Sequence, residues 1–87
     1  MFEIIWSDDA FEQMGELVSA RPELKHRFSL ALWEVNTALK ADPETHGESR
    51  TGIFRIAFFD CLTIYFGVFP EKKLVDITSV HLSPSAV

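Results

Sequence analysis

The sequence predicts an α+β domain in which a hairpin of two helices packs on an antiparallel sheet. Three apolar, β-prone runs follow one another at residues 53–59, 62–69 and 74–80, with short polar breaks between them. Runs of this composition, separated by turn residues, are typical of an antiparallel meander. A short strand and two segments of helical periodicity precede them, so the expected order of elements is β-α-α-β-β-β.

The first strand is predicted over residues 2–6, where apolar and polar side chains alternate loosely. A helix is predicted over residues 8–19, because Ser7 can cap it and the carboxylates of Asp8 and Asp9 stand at its positive end. Apolar side chains then recur at helical spacing, at Phe11, Met14, Leu17 and Val18.

A second helix begins near Pro22, which is tolerated in a first helical turn, and ends before Pro43. Its apolar stripe consists of Leu24, Phe28, Ala31, Leu32, Val35 and Leu39. The short connection predicts that the two helices form an antiparallel hairpin. Trp33 falls outside the stripe, so it is placed either half-buried at the edge or on a surface that a partner covers.

Period-two alternation divides the meander into two faces. The apolar face, which the helices are expected to cover, is assigned Phe54, Ile56 and Phe58 with Leu62, Ile64, Phe66 and Val68. The other face is mixed and is assigned Arg55, Ala57 and Phe59 with Thr63, Tyr65, Gly67 and Phe69. On this assignment Arg55 and Tyr65 lie together on the open side of the sheet.

The length of 87 residues is expected to form one domain over residues 1–87, with residues 82–87 as a flexible tail. Hydrophobic residues make up 47% of the chain and aromatic residues 13%, which is rich for this length. We therefore expect a filled core with some aromatic surface left for a partner.

Charge and cysteine content narrow the class of function. The net charge is −5, and residues 1–43 hold eight acidic against four basic side chains. Proteins that bind nucleic-acid backbones usually carry a basic patch, so the composition argues mildly against that role. Cys61 is the single cysteine, which favours a cytoplasmic protein and packing over a nucleophilic role. No run approaches the ~20 apolar residues of a membrane span, and the acidic N-terminus is unlike a signal peptide.

No metal or cofactor is expected from the sequence. The three histidines and one cysteine lack the spacing of zinc ligands, and no glycine-rich phosphate loop is present. Residues 42–52 are predicted to form a polar surface loop. His46, in this loop, is interpreted as a solvated side chain.

A set of residues stands in an order and at a spacing similar to those of a known protein family. The set is Leu39, Asp42, Pro43, Gly47, Arg50, Arg55, Tyr65, Val80 and His81. From about residue 2 to residue 81 the chain resembles the RelE/ParE toxin superfamily of bacterial type II toxin–antitoxin operons, often labelled plasmid stabilisation proteins. The resemblance implies a cognate antitoxin that packs over the helices and the sheet, and it leaves open a homo- or hetero-oligomer.

The family has two modes of action. RelE-like members cut mRNA on the ribosome with basic and aromatic side chains, whereas ParE-like members block DNA gyrase and need no nuclease site. For a RelE-like protein the resemblance implies catalytic roles for Arg55, Tyr65 and His81: the arginine would hold the phosphate, and one of the other two would transfer protons. The alternative for Arg55 is a structural ion pair with Asp76, and strand parity predicts that His81 faces the helices.

The scarcity of cations on the mixed face favours protein binding over RNA cleavage. The candidate binding residues are Arg50, Trp33, Phe59 and Phe69, since aromatic and arginine side chains are frequent anchors of interfaces. We therefore expect a toxin-like protein that acts by protein binding, either ParE-like or degenerate. A metal-independent mRNA endonuclease and a non-toxic protein-interaction domain remain as alternatives.

Overall fold

The computed structural model describes residues 1–50 and 52–84, and it confirms the predicted α+β architecture. Within these residues the strands are β1 (Glu3–Trp6), β2 (Glu48–Ser49), β3 (Phe54–Phe59), β4 (Leu62–Phe69) and β5 (Leu74–Leu82). The helices are α1 (Asp8–Ala20) and α2 (Lys25–Ala41), and single 3₁₀ turns lie at Pro22–Leu24, Pro43–Thr45 and Pro70–Lys72. No helix in this part of the chain is both long and apolar enough to cross a membrane.

The strands form one sheet in the order β1-β5-β4-β3-β2. β3, β4 and β5 are the predicted antiparallel meander, and β2 adds a short antiparallel edge next to β3. β1 pairs parallel with β5, so the sheet is mixed. Both helices and the other strands intervene between β1 and β5, which gives the chain the length that a parallel connection requires.

The helices follow the predicted boundaries closely. The Ser7 hydroxyl caps α1 by accepting a hydrogen bond from the Ala10 N–H at 3.1 Å. The buried residues of α2 are Phe28, Ala31, Val35 and Leu39, which all belong to the predicted stripe. In α1 the predicted Met14 is buried, whereas Phe11 is 75% exposed and Ala10 is buried instead.

The structure corrects the predicted faces of the meander. A turn of two residues joins β3 to β4, so Phe59 pairs directly with Leu62 and Arg55 with Phe66. Paired residues project to the same side of a sheet. Arg55 and Phe59 therefore lie on the side that the helices cover, and Phe59 is 8% exposed, in the core rather than on a binding surface.

A bulge in β5 corrects the predicted position of His81. Tyr65 pairs with Ser79 while Phe66 pairs with Ile77, which leaves Thr78 as an extra residue in β5. An extra residue reverses the alternation of side chains beyond it. The exposed side chain of His81 therefore lies on the open face with its partner Thr63, and not against the helices.

The core lies between the helices and the covered face of the sheet. It joins Ala10, Met14, Leu24, Phe28, Ala31, Val35, Leu39, Ala57, Phe59, Cys61, Leu62, Ile64, Phe66, Val68, Val75, Ile77 and Val80. Two residues of the predicted tail have defined contacts: Leu82 ends β5, and the buried Ser83 hydroxyl lies 2.8 Å from the Thr63 hydroxyl. The part of the predicted tail beyond Pro84 lies outside the described residues.

Candidate functional site

An apolar groove with a volume of about 610 Å³ lies between α1 and α2. It is lined by Trp6, Phe11, Met14, Gly15, Val18, Leu32 and Asn36. The wall that α1 provides is open at Gly15, where an added Cβ would meet no atom within 4 Å. The helices of the hairpin therefore leave apolar side chains accessible between them.

The two rims of this groove differ in charge. On the α1 side, Glu12 and Glu16 line the adjoining depression together with Gly15. The α2 side of the groove offers the neutral residues Leu32 and Asn36. The acidic half of the chain thus presents its carboxylates along one edge of an apolar surface.

A second apolar surface occupies the open face of the sheet. Phe54, Phe58 and Tyr65 are all exposed there, and the Phe58 side chain is the most accessible at 67%. Phe54 pairs with Gly67, and an added Cβ on that glycine would lie 3.5 Å from the Phe54 ring. Because Gly67 has no side chain, the Phe54 ring has room to lie against the sheet.

Arg55 donates hydrogen bonds to the loop that follows α2. Its Nε donates to the His46 carbonyl at 2.9 Å, and one Nη donates to the Gly47 carbonyl at 3.1 Å. The predicted ion pair with Asp76 is wrong, because Asp76 pairs with Gly67 and lies on the opposite face of the sheet. In this conformation Arg55 stabilises a loop.

Tyr65 and His81 meet on the open face, where their rings are 5.8 Å apart and nearly perpendicular. The His81 Nε2 lies 2.6 Å from the Ser79 hydroxyl, which donates to the Gln13 Oε1 at 3.2 Å. These contacts link His81 to Ser79 and, through the Ser79 hydroxyl, to Gln13 of α1.

The three residues that a RelE-like site would need are not brought together. Tyr65 and His81 share the open face, whereas Arg55 projects from the covered face. No group of three or more His, Cys, Asp or Glu side chains within residues 1–50 and 52–84 could hold a metal ion. Cys61 is fully buried. Burial raises the pKa of its thiol, and the negative charge of the neighbouring Asp60 carboxylate raises it further.

The other predicted binding residues are dispersed. Trp33 is 66% exposed on α2, at the edge of a depression of about 440 Å³ that it shares with His46 and Phe59. Arg50 is exposed, with an Nη 3.8 Å from a Glu48 carboxylate oxygen. Phe69 is half-buried at the end of β4.

Sequence reasoning missed the exposed pair Phe54 and Phe58, although a signal for it was present. A loop of two residues between β3 and β4 makes Phe59 and Leu62 direct partners, and this pairing fixes the face of every residue in β3. The groove was missed because Phe11 and Val18 fit the helical stripe that usually marks a core.

No protein-family model matches the chain, and no curated protein is similar to it in sequence. A chain of a solved structure, described as the chromosomal ParDE TA system from P. aeruginosa, is similar in fold with a TM-score of 0.76. The similarity covers 94% of this chain and 96% of that chain, at 12% sequence identity. The fold that the resemblance to RelE/ParE toxins implied is thus confirmed.

Proposed function

We propose that this chain is a toxin-like protein of a bacterial type II toxin–antitoxin system, and that it acts in the cytoplasm by binding proteins rather than by cleaving RNA. The fold that it shares with a chain of the ParDE system carries the proposal. The net charge of −5 also supports protein binding, because nucleic-acid ligands favour basic surfaces.

The groove between α1 and α2 is suited to a helical segment of the antitoxin. An amphipathic helix binds such a groove by placing its apolar face against the walls. Phe11 stands exposed on the α1 wall, and Leu32 faces the groove from α2. A helix seated there would bury both, and burying an aromatic anchor is a frequent source of binding energy.

The open face of the sheet is suited to the cellular target. Phe54, Phe58 and Tyr65 form an aromatic surface on the side that no helix covers. Arg55 is the basic residue that lies between Phe54 and Phe58 in β3. It donates hydrogen bonds to loop carbonyl oxygens on the side of the sheet that the helices cover. The ParE-like branch of the resemblance makes DNA gyrase the first target to test.

The test is expression of the chain in bacteria, alone and with the product of the small neighbouring open reading frame. We expect growth arrest that the second protein relieves. Phe58→Asp should abolish the arrest, and Phe11→Asp should leave the arrest while abolishing its relief. Leu30→Asp is the matched control, because Leu30 is an exposed apolar residue that lines neither surface. Growth without arrest in every strain would refute the proposal and favour a non-toxic interaction domain.

A RelE-like mRNA endonuclease is the second candidate, and the contact between Tyr65 and His81 on the open face favours it. These side chains could act as proton donor and acceptor if substrate or ribosome supplied the missing positive charge. Primer extension on mRNA from arrested cells separates the two mechanisms. Cuts in phase with codons would support the endonuclease, whereas intact mRNA with altered supercoiling would support action on gyrase.

A further inference from the structure

The side of α1 next to the groove carries a line of carboxylates. Asp8, Glu12 and Glu16 are spaced four residues apart, so they follow one another along the helix surface at intervals of about 6 Å. Phe11 and Gly15 lie immediately beside this line, on the groove wall itself. Any helix that fills the groove must run alongside these carboxylates.

Within residues 1–50 and 52–84 these carboxylates have no ionic partner. The ion pairs among the described residues are Arg21–Glu23, Arg27–Asp60 and Arg50–Glu48, and none of them includes an acid of α1. Asp8 has a local role, because its carboxylate lies in the first turn of α1 and interacts favourably with the positive end of the helix dipole. Glu12 and Glu16 lie beyond that first turn, and both are exposed.

The opposite wall does not balance this charge. Leu32 and Asn36 are the groove residues of α2, and by helical spacing Lys25 and Lys40 stand only at its two ends. A helix seated in the groove therefore has carboxylates along one long edge and uncharged side chains along most of the other. A complementary partner helix therefore needs positive charge along the edge that faces α1.

We infer that the partner segment is an amphipathic helix with lysine or arginine side chains along the edge that faces α1. This inference rests on the proposed function, which makes the groove a site for an antitoxin helix. Each ion pair at such a rim changes affinity by up to about fivefold. Complementary charge also speeds association and disfavours acidic helices that would otherwise fit the apolar walls.

The test measures the dissociation constant of the complex between the full chain and the protein encoded by the neighbouring open reading frame. Three forms of the chain are compared at about 50 mM and 300 mM salt: the natural sequence, Glu12→Gln with Glu16→Gln, and Glu34→Gln with Glu44→Gln. The last pair removes the same charge from exposed positions outside the groove lining. Circular dichroism checks that each variant is folded.

We expect the Glu12/Glu16 variant to bind about two- to 25-fold more weakly at low salt, since two rim pairs are lost. Its affinity should also depend less on salt, while the control pair behaves as the natural chain does. Equal or tighter binding by the Glu12/Glu16 variant would overturn the inference. Phe11→Asp distinguishes the two levels: if this variant still binds as tightly as the natural chain, or if the natural chain itself forms no complex, the proposed use of the groove fails as well.

Discussion

Arg55 and Gly47 hold the loop after α2 against β3. Gly47 has a φ of +71°, and an added Cβ would overlap the carbonyl oxygen of Ile56. The guanidinium of Arg55 binds the carbonyl oxygens of His46 and Gly47 from the other side. Two residues of the motif that resembles the toxin family therefore have a structural role in this chain.

Gly47→Ala is expected to lower the free energy of unfolding by about 2–3 kcal/mol, because it combines a strained φ with a backbone overlap. Gly15→Ala is the matched control. Gly15 lies inside α1 with open space at the Cβ position, so alanine there should raise stability by about 0.5–1 kcal/mol. Urea unfolding measures both, and similar effects of the two substitutions would contradict this account of the loop.

Arg55→Ala is expected to cost about 1–2 kcal/mol of stability, since two hydrogen bonds to carbonyl oxygens are lost. The growth arrest should persist at temperatures where the variant remains folded. Thermal unfolding and the growth assay are the two measurements. A folded Arg55→Ala variant without toxicity would instead assign Arg55 to the mechanism, as the RelE-like alternative requires.

At the scale of elements, Gln13 joins α1 to the far end of β5. β1 pairs with β5 only as far as Ile77, so the edge of β5 beyond it has no strand neighbour. The Gln13 Oε1 acts there as the hydrogen-bond acceptor. It accepts from the Val80 N–H at 2.8 Å and from the Ser79 hydroxyl. One side chain thus satisfies a backbone donor that would otherwise be open to strand pairing.

Gln13→Ala should accelerate amide hydrogen exchange at Val80 and lower stability by about 1 kcal/mol. Gln13→Glu keeps an acceptor oxygen at the same position, so its effects should be smaller. Exchange measured by NMR on both variants checks the expectation. Unchanged protection of Val80 in Gln13→Ala would show that the Gln13 side chain does not hold this edge.

All the elements except the two-residue strand β2, which lies in the predicted loop, could be predicted from the sequence, because Pro22, Pro43 and the capping Ser7 mark the helix ends and β-prone composition marks the longer strands. The faces could not be predicted by alternation alone. β3 has phenylalanine on both sides and Arg55 as its one polar residue, so only the pairing across the turn distinguishes the two faces. The bulge at Thr78 leaves no mark in the local sequence, and it decided the side on which His81 lies.

At the scale of the whole molecule, two accessible apolar surfaces lie on opposite sides of one small domain. The groove belongs to the helical layer, and the aromatic surface belongs to the uncovered face of the sheet. On the proposed function, the antitoxin and the target would each contact a different one of these two surfaces.

The central claim is that the chain acts by protein contact on the open face and not by proton transfer there. The most direct test is growth arrest by a double variant, Tyr65→Phe with His81→Gln, which removes both candidate acid–base groups and nearly preserves the shape of the face. Our account predicts arrest equal to that of the natural chain, together with loss of arrest in Phe58→Asp. Loss of arrest in a folded, stable double variant, with codon-phased mRNA cleavage by the natural chain, would contradict it.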